Sequence, residues 1–504
     1  MSQWGFVGPA YEAANSVQDS QRLINWYTET DINQGNPQQP TDAAPEAKVH
    51  TALLGVPGLI ALNSAFTGQA RGSWVLPGNI QALFVIGNAV VLATIATPAT
   101  ATSTAVLSFA SVGSLFTTIG PVKIRDNGVG GIAALVDGPN LYIYNIANRT
   151  LTRSTDVSFL GSNTIAEIDG IFIFQQTNTQ KFYSSPIYWN GITPMDGTYY
   201  ALKDNASDNL VAVFENGRQL WLIGETTTEP WYNAGNPAFP FSRLSGGLMQ
   251  VGCAAPQSIA RTGPHIIWLG RSERGENSVV MIKGYQFESI STFAIAYAIT
   301  QYPVISDAIG YVYTEEGHEF YVLIFPTADA TWVYDLTTGV WHQRASFDPA
   351  TGLLHRQRVN TLVNFAGMRV VGDFSNGRIY QQTRKAFADD IYPLVCIRRA
   401  PHVWDKNDRA RVNHSRLQVD FTPGSGLSVG QGQAPVAMLK WSNDQGRTFG
   451  NEHWAPLGAI GNSLTRVIWR RLGSSRDRVY EVRISDPVKR DVAGASLRVE
   501  ATSQ

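Results

Sequence analysis

Apolar positions along the chain fall into short runs bounded by Gly, Asn, Asp and Pro, and a helical repeat is almost absent. Leu141-Tyr-Ile-Tyr144, Ile171-Phe-Ile-Phe174, Leu220-Trp-Leu-Ile223 and Phe320-Tyr-Val-Leu-Ile-Phe325 are typical. Aromatic and β-branched side chains at this density suit half-buried pleated surfaces, so the pattern predicts strands throughout.

The runs recur. Turn glycines at Gly87, Gly138, Gly170, Gly217, Gly263, Gly317 and Gly367 each sit between apolar segments, with spacings of 51, 32, 47, 46, 54 and 50 residues. A repeat of roughly 40–50 residues carrying at least one hairpin is the mark of a β-propeller. The short interval of 32 leaves six or seven blades open. A second repeated unit, Tyr334-Asp-Leu-Thr-Thr-Gly-Val-Trp341, has counterparts in Tyr144–Leu151 and Phe374–Tyr380 and resembles the outer hairpin of kelch-like blades.

The pattern changes near Arg384 to Trp404. Beyond it, Val412–Phe421 and Val479–Ile484 alternate with period two around a Gly-rich loop, Pro423 to Gly432. The expected organisation is all-β: residues 1–60 as N-terminal strands and loop closing onto the propeller, 61–388 as the propeller, and 389–504 as a smaller β-sandwich-like domain. Gln34 to Pro45 reads as an exposed loop. A chain of 504 residues also exceeds what one core usually supports, ~250–300 residues.

Composition sharpens this picture. Charged residues make up 16% of the chain, against roughly 25% in ordinary globular chains, which suits faces covered by neighbours. From Ile391 onward there are 17 Lys+Arg and 10 Asp+Glu, a net of +7; the remainder, 22 against 30, carries −8. Cys253 and Cys396 lack any metal-ligand spacing and are expected as buried free thiols in a reducing cytoplasm. The opening Met1-Ser2-Gln3-Trp4 has no basic or apolar leader pattern, so no secretory signal is expected. Val49 to Val122 holds one charged residue, Arg71, but glycine and proline break it too often for a spanning helix.

Catalytic patterns are few. Gly426-Leu-Ser428-Val-Gly430 has the G-x-S-x-G form, yet it lies in a loop with His453 as the sole downstream histidine and no helix following. Ser442-Asn-Asp444-Gln-Gly446-Arg-Thr-Phe449 resembles the Asp-box of sialidases. That motif is a turn device, in which Asp444 is expected to bond backbone N–H groups while Phe449 packs beneath. One copy outside the propeller makes a carbohydrate-active or glycan-binding protein the alternative reading. His318-Glu319 has no second histidine at zincin spacing, and no catalytic residue, metal or cofactor is expected. Arg470-Arg471 with Arg476 and Arg478 is the densest basic cluster and the candidate intersubunit or DNA-facing contact. Trp441, Trp454 and Trp469 are expected in the second domain's core.

Three segments resemble one family. They are Ser20-Gln-Arg22-Leu-Ile-Asn25-Trp26-Tyr27-Thr-Glu29, then Leu54-Gly55-Val-Pro57-Gly58-Leu59, and a C-terminal run from Leu439 to Val488 that includes Thr465-Arg-Val-Ile-Trp469-Arg-Arg-Leu-Gly473. Together they resemble the packaged-DNA stabilisation proteins, or tail accessory (nozzle) proteins, of short-tailed bacteriophages, with Thr28 where that family usually has proline. The resemblance implies a structural virion protein of the tail, six copies in a ring below the portal and adaptor. That ring would close the channel to retain packaged DNA, pass the double-stranded genome at ejection, and offer docking faces to tail fibres or spikes and to a needle or plug.

Overall fold

The computed structural model describes residues 2–3, 5–30, 51–63, 66–101, 103–128, 131–405 and 410–501. The expected loop Gln34 to Pro45 lies outside them. Seven antiparallel blades follow one another at residues 70–114, 123–153, 165–202, 210–243, 252–289, 309–343 and 359–383. Neighbouring blades close over apolar cores, and the core between the fifth and sixth is continuous with that of the second domain. Leu83, Val85 and Leu135 lie between the first and second, for example, and Phe84, Ile86, Val370 and Ile379 between the first and last. The ring therefore closes, and Asn360 of the seventh blade donates to the Ala70 carbonyl of the first at 2.9 Å.

The seventh blade borrows its outermost strand. Gly58–Ala61 pairs antiparallel with Ile379–Thr383, which ties the N-terminal part of the chain to the end of the propeller. Gly58 is needed for this fit. A Cβ there would stand 2.3 Å from the Ala388 carbonyl oxygen and 2.7 Å from that of Ala386, both fixed backbone.

All seven turn glycines have positive φ, between 51° and 99°. The irregular interval of 32 has a topological cause. Gly87 and Gly138 turn the second strand of a blade into the third, whereas the five later glycines turn the first into the second. The repeated hairpin has a similar twist. Tyr334–Trp341 and Tyr144–Leu151 span the outer pair of their blades, but Phe374–Tyr380 lies one pair further in, because Gly58–Ala61 takes the outer place.

The second domain is a sandwich. One sheet is ordered Trp26–Thr30, Thr51–Gly55, Val492–Ala501, Val412–Phe421, Val467–Arg470. The other carries Ser20–Ile24, Cys396–Arg399, Asp477–Ile484, Val436–Ser442 and His453–Pro456, and runs on into the sixth blade through a parallel bridge between Ile24 and Gln343. One apolar cluster joins sandwich residues such as Leu417, Val482 and Trp469 to Leu323, Trp332 and Trp341 of the sixth blade.

The organisation thus differs from the expectation for residues 1–60. Within that segment Gly58–Ala61 closes the propeller, while Ser2–Gln3, Ser20–Ile24, Trp26–Thr30 and Thr51–Gly55 complete the sandwich sheets. Ala388–Asp389 and Tyr392–Pro393 extend the seventh blade's sheet, so the second sandwich sheet resumes at Cys396. Among the described residues the one α-helix is Phe293–Thr300, and no helix is long and apolar enough to cross a membrane. Cys253 and Cys396 are free and buried, and burial pushes their thiols up to about 12 and about 11.

Candidate functional site

Two features concentrate the polar chemistry: the seam between propeller and sandwich, and the arginine-bearing face of the sandwich.

At the seam, Asn25 has left-handed backbone (φ 57°), which Asn tolerates better than most residues. Its side chain donates to the carbonyls of Ala345 (2.8 Å) and Val395 (2.7 Å) and accepts from the Ala345 N–H (3.0 Å). One amide thereby satisfies backbone groups beside the sixth blade and at the edge of the sandwich. Trp26 Nε1 donates to the Arg490 carbonyl at 3.0 Å, and the Gly55 N–H donates to Asp491 at 3.1 Å. A Cβ on Gly446 would lie 2.9 Å from Ser20 Oγ. Segments far apart in the chain therefore meet here, which explains why the three stretches that carry the family resemblance belong together.

The seam is also held by buried guanidinium groups. Arg398, fully buried, donates to the carbonyls of Phe6 (2.6 Å) and Pro9 (2.9 Å) and to Gln21 Oε1 (2.7 Å), and burial lowers its pKa to about 9. Arg490 donates to the Phe387 and Leu394 carbonyls at 3.0 and 3.1 Å. Arg384 pairs with Glu316 at a sixth-blade turn and with Asp491 of the sandwich, the latter at 3.3 Å.

The four candidate arginines separate. Arg470, Arg471 and Arg476 are exposed, whereas Arg478 is 2% exposed. Arg478 donates to Asn443 Oδ1 (2.8 Å) and the Leu472 carbonyl (2.6 Å) and packs over the Trp441 and Tyr480 rings. It is a clasp between two turns within one sandwich and leaves the set of surface contacts. The strands add two residues that spacing alone does not single out. Arg416 is the cross-strand partner of Arg470 on one side and of Arg498 on the other, so three arginines form one row across the sheet. Like charges placed directly opposite destabilise a sheet; Glu500 pairs with Arg498 at 3.1 Å, and a further partner of opposite sign would relieve the rest of the row. Period-two placement on Val412–Phe421 and Val492–Ala501 hinted at the row, but only the strand register aligns it.

The Asp-box turn is self-contained. Ser442 Oγ accepts from the Gly446 N–H (2.8 Å) and donates to Asp444 (2.5 Å), and Asp444 accepts from the Thr448 N–H (2.9 Å) and hydroxyl (2.6 Å). The Ser442 and Thr448 bonds hold the Asp444 carboxyl well below the usual carboxylate range. Phe449 lies under Arg399 and Lys440. Ser428 is exposed in its loop, while His453 stacks on Trp441 with centroids 4.6 Å apart. Among the described residues no cluster of His, Cys, Asp and Glu could hold a metal ion.

Residues 53–386 match the family model described as Bacteriophage P22 Gp10, beta-propeller, and residues 398–500 match that described as Bacteriophage P22 Gp10, beta-sandwich. The chain belongs to the P22 Gp10 family. A member of the P22 Gp10 family is a structural protein of the phage virion tail, acting in retention and ejection of packaged DNA and not as a glycan-active enzyme. No curated protein matches the chain. Among solved structures, the Pan2 WD40 domain of Neurospora crassa is similar at 9% identity and a TM-score of 0.40, covering 65% of this chain and 95% of that one. The extracellular domain of a one-component system from B. thetaiotaomicron is similar at 9% identity and a TM-score of 0.41, covering 85% and 58%.

Proposed function

We propose that six copies of the chain form a closed ring below the portal and adaptor, shut the channel over packaged DNA, and release it without sequence preference at ejection. The same ring docks tail fibres or spikes and a needle or plug. The reading is carried by the P22 Gp10 match over both propeller and sandwich. The shared apolar core across the seam supports it, because a tube segment that holds back packaged DNA benefits from two domains that move as one.

Charge suggests how neighbours meet. A closed ring needs heterologous contacts, in which two different patches face each other. The basic part of the chain from Ile391 onward (+7) and the acidic remainder (−8) are complementary. The arginine row on the sandwich sheet then faces carboxylates of the next subunit. A lumen lined with it would grip every passing phosphate instead.

Electron microscopy of tails tests the reading. Six copies in the tail are expected; another copy number, or a place outside the tail, would overturn it. Reversing Arg470 and Arg498 to Glu should abolish ring formation without lowering the melting temperature. Normal rings from that variant would remove this face from the interface.

A further inference from the structure

The innermost segments of six blades line an open cavity of about 600 Å³ at the propeller hub. Its lining is basic, with Arg71, Lys123, Arg125 and Arg356 against one carboxylate, Asp307. Two of these cations are already occupied. Arg71 donates to the carbonyls of Gly87, Thr117, Ile119 and Gly120 at 2.6–2.8 Å. Arg356 bonds Asn360 at 2.9 Å and stacks on Phe374.

Lys123 and Arg125 differ. They stand two apart on the strand Lys123–Asp126, so they share a face. The Lys123 ammonium has no hydrogen bond or ion pair with any described residue. Arg125 bonds the Ile124 carbonyl (2.9 Å) and lies 4.2 Å over the Trp74 ring. The carboxylates of Glu215, Asp126 and Glu167 favour the Arg125 charge, Asp126 also accepting from Trp74 Nε1 (2.7 Å) and the Gly128 N–H (2.9 Å), and Lys123 is left as the uncompensated cation. Burial, with the Arg125 charge beside it, pushes the Lys123 amine down to about 8. Across the cavity, one oxygen of Asp307 is buried without a hydrogen-bond partner among the described residues and can accept a hydrogen bond.

From this arrangement we infer that the hub binds a small phosphate-class anion that also carries a hydroxyl, with Lys123 and Arg125 on its charged oxygens and Asp307 accepting from the hydroxyl. Hydrogen phosphate and a phosphorylated polyol share this chemistry. The volume suits a small molecule, and a duplex cannot enter it. A ligand held by several blades stabilises the ring by mass action.

The test is calorimetric titration of the full chain with inorganic phosphate, glycerol phosphate or sulfate, at ionic strength fixed with sodium chloride. Saturable binding and a raised melting temperature are expected with phosphate, and weaker binding with sulfate, which has no hydroxyl at neutral pH. Tighter binding of glycerol phosphate would identify an ester as the ligand, and tighter binding of inorganic phosphate the free ion. Lys123→Met and Arg125→Gln should each weaken binding about tenfold or more, and Arg476→Ala should leave it unchanged. On the wild-type chain, phosphate should slow modification of Lys123 by an amine reagent, a readout that does not depend on any variant folding. Absence of saturable binding and of protection, or variants that bind as the wild type does, would overturn the assignment.

Discussion

Trp26 and Tyr27 are adjacent in the chain, both fully buried, and packed into different cores. Trp26 sits in the sandwich beside Phe421, with ring centroids 6.5 Å apart, and Tyr27 sits against Phe320 of the sixth blade, at 5.1 Å. Period-two alternation sends the two side chains to opposite faces of one strand. The strand thus serves as a shared wall, and the domains are expected to unfold together. Trp26→Ala should cost ~3–5 kcal/mol and lower a single cooperative transition in calorimetry; a second transition that stays at the wild-type temperature would show the domains to be independent. Tyr27 tests the same wall differently. Its hydroxyl is buried with no hydrogen-bond partner among the described residues, and burial raises its pKa. Tyr27→Phe should therefore be neutral or stabilising by up to about 1–2 kcal/mol, and a clear loss on denaturant titration would contradict this.

Arg478 and Arg476 are two residues apart and should behave oppositely. Removing the Arg478 side chain strips donors from Asn443, Leu472 and Ser474 inside the sandwich. Hydrogen bonds from a charged donor contribute about 1.5–3 kcal/mol each, so Arg478→Ala should lose about 3 kcal/mol or more. Arg476 is exposed, and Arg476→Ala should stay within about 0.5 kcal/mol of wild type. Urea unfolding of the two variants decides the matter, and equal stabilities would refute the clasp.

Much of the fold is written in local pattern. The strand runs at Leu141, Ile171, Leu220 and Phe320 are all β-strands, and the hairpin glycines mark real turns. What local pattern hides is pairing between distant segments. Gly58–Ala61 reads as any short strand until it is set beside Ile379–Thr383, so the seventh blade's outermost strand is invisible without the ring. The arginine row is hidden for the same reason, because Arg416 and Arg498 become neighbours of Arg470 only through register. Burial of Arg478 was equally illegible, since a charged residue in a basic stretch reads as surface. The Asn25-Trp26-Tyr27 triplet was legible as a motif, and its physical role emerged only at the seam.

Trp441, Trp454 and Trp469 divide by environment, against the expectation that all three are core. Trp469 is buried and donates to the His453 carbonyl at 2.9 Å; Trp441 is half-buried against Tyr480; Trp454 is 69% exposed. Alternation explains it. On His453–Pro456 the inward residue is Ala455, which turns Trp454 to solvent. Trp469→Ala should cost ~3–5 kcal/mol. Trp454→Ala should leave the melting temperature nearly unchanged, and an exposed tryptophan in an assembling chain then becomes a contact candidate. A large destabilisation at Trp454 would mean the strand is turned the other way.

The last prediction concerns acid. His414 is buried between Ser475 and Tyr480, both at 2.9 Å, and burial with the nearby Arg478 charge pushes its pKa down to about 4. The unfolded value is about 6.5. Between these values the unfolded chain binds a proton that the folded chain refuses. The stability is therefore intact above about pH 6.5 and drains as the pH falls toward 4. At about 1.4 kcal/mol per unit, the loss at pH 4 is on the order of 2–3 kcal/mol. His342, desolvated and with neither ring nitrogen hydrogen-bonded among the described residues, acts in the same direction. Other groups oppose it. Burial raises Asp389 to about 7, so its cost grows as pH rises from about 4. The hydrogen bond to Asp335 raises His318, whose contribution is present at low pH and is lost as pH climbs through its folded value. The wild-type curve is thus a sum of opposed terms, and a variant must isolate one of them. His414→Gln can still donate and accept but does not titrate. Subtracting its urea stability from that of the wild type should give a difference that falls by about 2–3 kcal/mol from pH 7 to pH 4, and a flat difference would show that His414 is not desolvated.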